Sequence, residues 1–584
     1  MALGILMLFA GSGCDLFKNQ EYEDIVSEST YETAEPEASE NVSDEPENAE
    51  AKISEEVLKT VSFNKEKAFS YCNNRVCRIS PVNRDVVYKF DFTEGVPKTD
   101  DNNVYLFAVA TYQTAEYDRA VAEEGHIPSE MEYVASVEKG NEIRLTIPYE
   151  KSYLFARFVP ALLYEGQYVP LAEGEYVNNP ETVATNKTPY FEPESKKGLL
   201  LDANTLGTEL LTNLNVKRVV FNIPVSFILG ESSNENFPTV SYEYNGKTYS
   251  FDGFMLGGFD SLFSYLTREG YHTTAIVLND WNEDYPEIIH PKSRNKTYQS
   301  MYYAFNTEDE EGVRLMEAVA LFLAERYNGG EYGLIQDWVI GNEINQQKIW
   351  NYMATDDPEY YTESFEQSFR TFYNAIKSGY SKAHVMYSID HDWNDNNGNN
   401  ARFFNARDIV YAFNKYAALH GNYDWGVSIH PYPAPLTKVR FWQDKYDKSE
   451  ESRVLTPMNL ATITDMMCKD EFLNNSGAVR NMAVTEVGFS SYPGEELQAA
   501  AFAYSYYIIE DNEYIDSYLL NRQTDDAESL KSGLAIGIYN QDYTPKYIAE
   551  VFAKIDTPEG GDYIPKMLET IGIESLEEAL EIAR

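Results

Sequence analysis

The sequence predicts an α/β protein, a (β/α)8 barrel preceded by an all-β, sandwich-like domain. Three observations carry this. Up to about residue 200, apolar and polar residues alternate at period two, with breaks at Gly, Asn and Pro. From residue 201, short apolar runs alternate with long amphipathic stretches of helical period. Each apolar run ends on a polar residue, as it should where strand ends open onto a barrel mouth.

Residues 1–14 read "MALGILMLFAGSGC". The apolar run is too short to span a bilayer but suits the core of a signal peptide. Small residues lead directly to Cys14, and the segment resembles a bacterial lipoprotein signal. That resemblance implies a lipid on Cys14, a cell-surface location, and membrane contact only through the anchor. Residues 15–55 are Glu, Ser, Asn and Pro with few apolar residues, an acidic tether that holds a folded body away from a membrane.

Residues 56–200 contain "VVYKFDF", "NVYLFAVATY", "EIRLTIPY" and "YLFARFVPAL". These are half-buried strands of a sandwich-like domain, and nothing in it has catalytic spacing. Cys72 and Cys77 could pair locally in an exported protein. No second Cys or His pair offers zinc-ligand spacing, and Cys468 reads as a buried apolar residue.

The barrel is expected over 201–556, with a helical tail at 557–584. Its strands are read at 216–223, 272–279, 301–306, 336–343, 384–390, 424–430, 481–486 and 514–521. Stretches such as "EGVRLMEAVALFLAERY" and "YYTESFEQSFRTFYNAIKSGY" supply helices between them. A doubly wound open sheet is the alternative, but it calls for a Gly-rich phosphate turn after an early strand, which the sequence lacks.

Composition narrows the function. At 584 residues and 43% hydrophobic, the chain can bury a large core and more than one domain. A net charge of −47 argues against nucleic acid, anionic membrane surfaces and polyanionic substrates, all of which it repels. Seven His in the whole chain leave little room for a clustered metal centre, and no metal or cofactor is expected.

The strand ends read Asn222, Asn279-Asp280-Trp281, Asn306, Asn342-Glu343, Asp390-His391, His430, Glu486 and Asn521. A capping Asn or loop Asp is ordinary at any one of them. Glu343 and Glu486 stand apart, because strands four and seven face each other across a barrel mouth. Two carboxyl groups about 5–5.5 Å apart are what a retaining glycosidase needs. "VIGNEIN" and "VTEVGFSS" resemble the strand-four and strand-seven motifs of clan A glycoside hydrolases, and "SIHPYP" is similar to their strand-six segment. The resemblance covers roughly 201–556. It implies Glu343 as acid/base, Glu486 as nucleophile, Asn342 on the sugar 2-hydroxyl, and His430 and Tyr432 lining the site. An Arg that such barrels often carry near the end of strand two is missing from "HTTAIVLNDWN".

The layout also resembles an uncharacterised bacterial family, a domain of unknown function with a β-rich N-terminal part before a barrel. "YLFARFVPAL…EGEYVNNP" and "YYAFNTEDEEGVRLMEAVALFLAERY" carry that likeness, which implies no substrate. Asn222, Asn279 and Asp390 are further candidates for sugar hydroxyls. Trp281 and Trp393 lead the aromatic candidates for stacking on sugar faces, ahead of Trp350 and Phe489. "DHDWNDNNGNN" is rich in oxygen ligands but lacks a loop-closing Glu, which favours a solvated loop over a calcium site. The expectation is a monomeric glycoside hydrolase acting on carbohydrate. The alternative is a non-catalytic carbohydrate-binding lipoprotein on the same barrel, which would have no need of the carboxylate pair.

Overall fold

The computed structural model describes residues 59–294 and 299–584. The signal, Cys14 and the tether lie outside the described residues.

Two antiparallel sheets form the N-terminal part. One has three strands, Cys72–Ile79, Val86–Phe92 and Glu142–Ile147. The other has four, in the order Tyr133–Glu138, Asn103–Ala110, Ala156–Tyr164 and Gln167–Pro170. Period two does the work here: Ile143, Leu145 and Ile147 are buried while Glu142, Arg144 and Thr146 face water. Val86, Tyr88 and Ile143 of one sheet share a core cluster with Leu106, Phe158 and Leu162 of the other. A helix that the all-β reading did not contain, Thr114–Glu124, covers the outer face of the larger sheet over Tyr105, Phe107 and Val109. Cys72 and Cys77 lie on one strand and are both free. A strand rises about 3.3 Å per residue, which puts them too far apart for a disulfide.

The second part is a closed parallel barrel of eight strands: Lys197–Leu200, Arg218–Pro224, His272–Leu278, Asp337–Ile340, His384–Ile389, Gly426–Ile429, Met482–Val487 and Ile515–Leu520. Strand one therefore falls inside the span that the sequence assigned to the β-domain. The run read as 301–306 is not a barrel strand. It lies in the loop after strand three, where Tyr303 bridges Tyr352 of the loop after strand four. One missed strand and one false strand cancel, so strands four to eight keep their expected places. "HTTAIVLNDWN" is thus strand three, and strand two ends on Asn222-Ile223-Pro224, which also lacks an Arg.

Long helices wrap the barrel. Pro358–Gly379 opens with Asp357, whose carboxylate accepts from the N–H groups of Glu359 (3.0 Å) and Tyr360 (3.3 Å), with Pro at the first helical position. The C-terminal helices Ile564–Ile571 and Leu576–Ala583 dock on Glu495–Asp511, burying Met567, Ile571 and Ala579 in the main core, with the Tyr504 hydroxyl on the Ala579 carbonyl at 2.7 Å. Inside the barrel, Leu200, Val220, Ile276, Val339, Met386 and Ala483 form a packed layer. Tyr302 and Trp350 belong to the same cluster and roof it. The site stands on that floor.

Candidate active site

Strand four ends at Ile340, and the chain turns through Gly341 (φ 76°) to Glu343, which has φ 39°. A left-handed conformation at a residue with a Cβ costs about 1–2 kcal/mol, so the surroundings must hold it. Ser388 on strand five does so. Its Oγ accepts the Glu343 N–H at 2.8 Å and its carbonyl accepts the Ile344 N–H at 3.0 Å. Asp390 then ties the following residues, accepting from Asn345 Nδ2 (2.6 Å) and Gln346 Nε2 (2.7 Å).

Glu486 projects from strand seven, a strand buried along its whole length. Its Oε1 accepts from the Tyr432 hydroxyl at 2.8 Å and from Asn521 Nδ2 at 3.0 Å. Asn521 Nδ2 also donates to the Tyr432 oxygen at 2.8 Å, which closes a triangle across strands six, seven and eight. His430 stands between the two acids. Its Nδ1 lies 2.9 Å from Glu343 Oε1 and its Nε2 lies 3.1 Å from Thr485 Oγ1, which is itself bonded to Ser428 Oγ. One carboxylate oxygen from each Glu and one nitrogen of His430 all lie within 4.8 Å of one another.

The two carboxyl groups are buried but not equivalent. Burial pushes the pKa of Glu343 well above the carboxylate range; the charges of Asp390 and Asp392 add to this, and His391 and a hydrogen bond from Trp350 oppose it. Burial also raises Glu486, as does the charge of Glu343, but His430 and the hydrogen bonds from Tyr432 and Asn521 pull it back. The Tyr432 and Asn521 donors thus favour the ionised form of Glu486, while the Asp390 and Asp392 charges favour the protonated form of Glu343. Burial lowers the pKa of His430, against the charges of Glu486 and Asp390, which raise it.

Glu343, His430 and Glu486 could each offer one atom to a cation. Both nitrogens of His430 and Oε1 of Glu486 are already engaged in hydrogen bonds, so a metal would have to displace some of them.

Asn342 is buried beside Glu343 at the mouth. Asn222 lies two residues beyond Val220, on the same inward face, and its Oδ1 is a buried acceptor without a partner among the described residues. Asn279 Oδ1 is likewise unpartnered, but its Nδ2 donates to the Ala304 carbonyl at 3.3 Å and so also holds a loop. Trp281 stays half-buried, with Nε1 on Glu283 Oε1 at 2.9 Å and its ring edge-on to Tyr303. One expectation needs correction. Trp393 is no sugar platform: it is 0% exposed, packed in the core, with Nε1 donating to the Glu450 carbonyl at 3.0 Å. Asp390 accepts from Asn345 and Gln346 and so positions the Glu343 loop.

Sequence reasoning gave no role to Asn521 and overlooked Tyr302, whose ring stacks on Trp350 with centroids 5.9 Å apart. Asn521 was visible only as one polar strand end among eight. Tyr302 was hidden inside the segment taken for a strand.

The structure is that of a TIM-barrel protein with two buried, closely paired Glu carboxyl groups at the C-terminal ends of its strands. Residues 189–579 match the family of unknown function DUF5722, and the chain belongs to that family. No curated protein sequence matches it. Among solved structures it is similar to a family 39 glycoside hydrolase from the gut symbiont Bacteroides cellulosilyticus WH2, at 13% identity over 82% of this chain and 81% of that one, with a TM-score of 0.40. It is also similar to a β-glycosidase from the hyperthermophile Thermosphaera aggregans (14% identity, 64% and 86% covered, TM-score 0.39). A third is a β-D-glucuronidase from Dictyoglomus thermophilum (11%, 83% and 68%, TM-score 0.32).

Proposed function

We propose that the protein is a retaining glycoside hydrolase that works at the cell surface, held there as a monomer by a lipid on Cys14. The observation that carries the enzymatic reading is the approach of the Glu343 and Glu486 carboxyl oxygens to within 4.8 Å. Inversion needs room for a water between the carboxyl groups, and so a wider gap.

Glu486 attacks the anomeric carbon, with Tyr432 and Asn521 holding its Oε1. The glycosidic C–O bond breaks, and the departing oxygen takes the proton of Glu343. In the glycosyl-enzyme, Glu486 is a neutral ester, so the charge that favoured protonated Glu343 is gone. Glu343 then accepts a proton from water, which displaces Glu486 and restores the starting configuration. Asn342 binds the 2-hydroxyl, and Asn222 offers an acceptor to another hydroxyl.

NMR of the first-formed product tests the stereochemistry: the retained anomer supports the mechanism and the inverted one refutes it. Glu486→Gln should abolish turnover. Glu343→Ala should stay active on substrates with good leaving groups and should yield glycosyl azide when azide is added. The anchor is supported by the segment leading to Cys14 and by the acidic tether. Native protein should partition into the detergent phase, and Cys14→Ser should release it to the aqueous phase.

A further inference from the structure

We propose that Thr485 is a positioning residue for the acid/base: by accepting the Nε2–H of His430 it leaves Nδ1 bare, as the acceptor for the carboxyl O–H of Glu343. This rests on the glycosidase reading above and adds to it how the proton of Glu343 is held.

The chain of hydrogen bonds is continuous and sealed from water. Nδ1 of His430 lies 2.9 Å from Glu343 Oε1, Nε2 lies 3.1 Å from Thr485 Oγ1, and Thr485 Oγ1 is bonded to Ser428 Oγ. His430 and Ser428 are 0% exposed and Thr485 3%. Ser428 lies on strand six, His430 directly follows that strand, and Thr485 stands on strand seven just before Glu486. With one proton on the ring, the protons of this chain run in one of two directions. In the first, Glu343 donates to a bare Nδ1, Nε2–H donates to Thr485, and Thr485 donates to Ser428. In the second, Ser428 donates to Thr485, Thr485 donates to a bare Nε2, and Nδ1–H donates to Glu343, which favours its ionised form.

The surroundings select the first direction. Glu343 is faced by Asp390, His391 and Asp392 after strand five, by His430 and Tyr432 after strand six, by Glu486 of strand seven and by Trp350. Burial and the charges of Asp390 and Asp392 favour its protonated form, against His391 and the hydrogen bond from Trp350. Trp350 is a donor only. Were Nδ1 to carry the ring proton, His430 and Trp350 would both donate to the carboxyl group, and neither would accept its buried O–H. A bare Nδ1 supplies that acceptor, and Thr485 makes it possible by taking the ring proton on Nε2. In Thr485→Val an Nε2–H would be buried without an acceptor. The ring proton then moves to Nδ1, Glu343 accepts it, and the ionised carboxylate gains support that the acid loses.

Nitrogen-15 NMR of the full-length protein, labelled at its seven His, reads the ring protons at neutral pH, and His430→Asn identifies the signals of His430. The expected spectrum has a bare Nδ1 and a protonated Nε2 in the wild type and in Thr485→Ser, and the reverse in Thr485→Val. The alkaline limb of kcat/KM reports the acid of the free enzyme. It should move down by about one pH unit in Thr485→Val, the shift that one hydrogen bond to a charged group brings, and return in Thr485→Ser. A wild type with Nδ1 protonated, or with both nitrogens protonated, overturns the proposal. So does a Thr485→Val whose activity falls while its alkaline limb stays in place or moves up, since loss of packing alone does that. If Thr485→Val does not fold, the wild-type spectrum decides. It also decides if no glycoside is cleaved: a bare Nδ1 then keeps Thr485 in its role at the contact of His430 with Glu343, and the glycosidase reading falls alone.

Discussion

Replacing Glu486 with Gln removes one charge from the carboxylate pair, and the distance sets the size of the effect. With carboxyl oxygens within 4.8 Å, two full charges repel by about 3.5 kcal/mol at an effective dielectric of about 20. That repulsion falls on whichever group ionises second. In the proposed mechanism Glu486 is the ionised partner, supported by the Tyr432 and Asn521 donors on its Oε1. Glu343 therefore carries the penalty, in addition to its burial and the charges of Asp390 and Asp392. In Glu486→Gln, Glu343 should ionise at clearly lower pH than in the wild type, yet still above the ordinary carboxylate range, because burial and Asp390 remain. Infrared difference spectroscopy of the protonated carboxyl stretch against pH reads this directly, with Glu343→Gln identifying the band. The reasoning fails if the wild type shows no protonated Glu343 near neutral pH, or if the titration is the same with and without the Glu486 charge. In the proposed mechanism the same loss of charge accompanies esterification of Glu486, so the variant would imitate the step that turns Glu343 from acid to base.

Asn521→Ala removes a donor from a charged oxygen, worth about 1.5–3 kcal/mol, so kcat/KM should fall about 10- to 150-fold and the acidic limb of its pH profile should move up, since ionised Glu486 loses support. A fall with an unmoved limb would mean that Asn521 only shapes the barrel. Glu343 has a folded pKa above its unfolded value, so its contribution to stability is present below the ordinary carboxylate pKa and is lost as pH rises through the folded value. Glu343→Gln should therefore raise Tm relative to wild type at alkaline pH, with the gain shrinking in acid; a gain independent of pH would contradict the burial account. Chelation with EDTA should leave the rate unchanged, and an activity lost to EDTA and restored by zinc would recast Glu343, His430 and Glu486 as a metal site. Trp393→Ala should cost about 3–5 kcal/mol of stability as a core truncation, whereas Trp350→Phe, a smaller truncation, should cost less and lower kcat by removing the hydrogen bond to Glu343.

The sequence made the barrel legible because most of its strands are long enough to write a rhythm. Strand one, Lys197–Leu200, is no shorter than strands four and six, but its apolar pattern is broken by Gly198, where a Cβ would fall 2.3 Å from Leu519 Cδ2 and 2.8 Å from Arg218 Cβ. Close packing against both neighbouring strands explains that Gly, and such packing leaves no local pattern. The false strand at 301–306 failed for the opposite reason. It is extended, aromatic and buried, as a strand would be, but its partner is a loop rather than the sheet.

Within the site, local motif and tertiary role separate in the same way. Glu343 and Glu486 could be read because two acids at opposite strand ends are a demanding pattern, one that a binding protein has no reason to keep. Asn521 could not, since an Asn ends a strand for many reasons, and its meaning comes only from the triangle with Tyr432 and Glu486. Trp350 and Trp393 each follow a strand end, yet one hydrogen-bonds to Glu343 and the other is buried in the core on the Glu450 carbonyl. The protonation difference between the two acids is further still from the local sequence. It arises because the Tyr432 and Asn521 donors converge on Glu486 while the Asp390 and Asp392 charges crowd Glu343. Asp390, a sugar-binding candidate in the sequence, shows its second role only in the fold: it anchors Asn345 and Gln346 behind Glu343 and, through its charge, raises the Glu343 pKa.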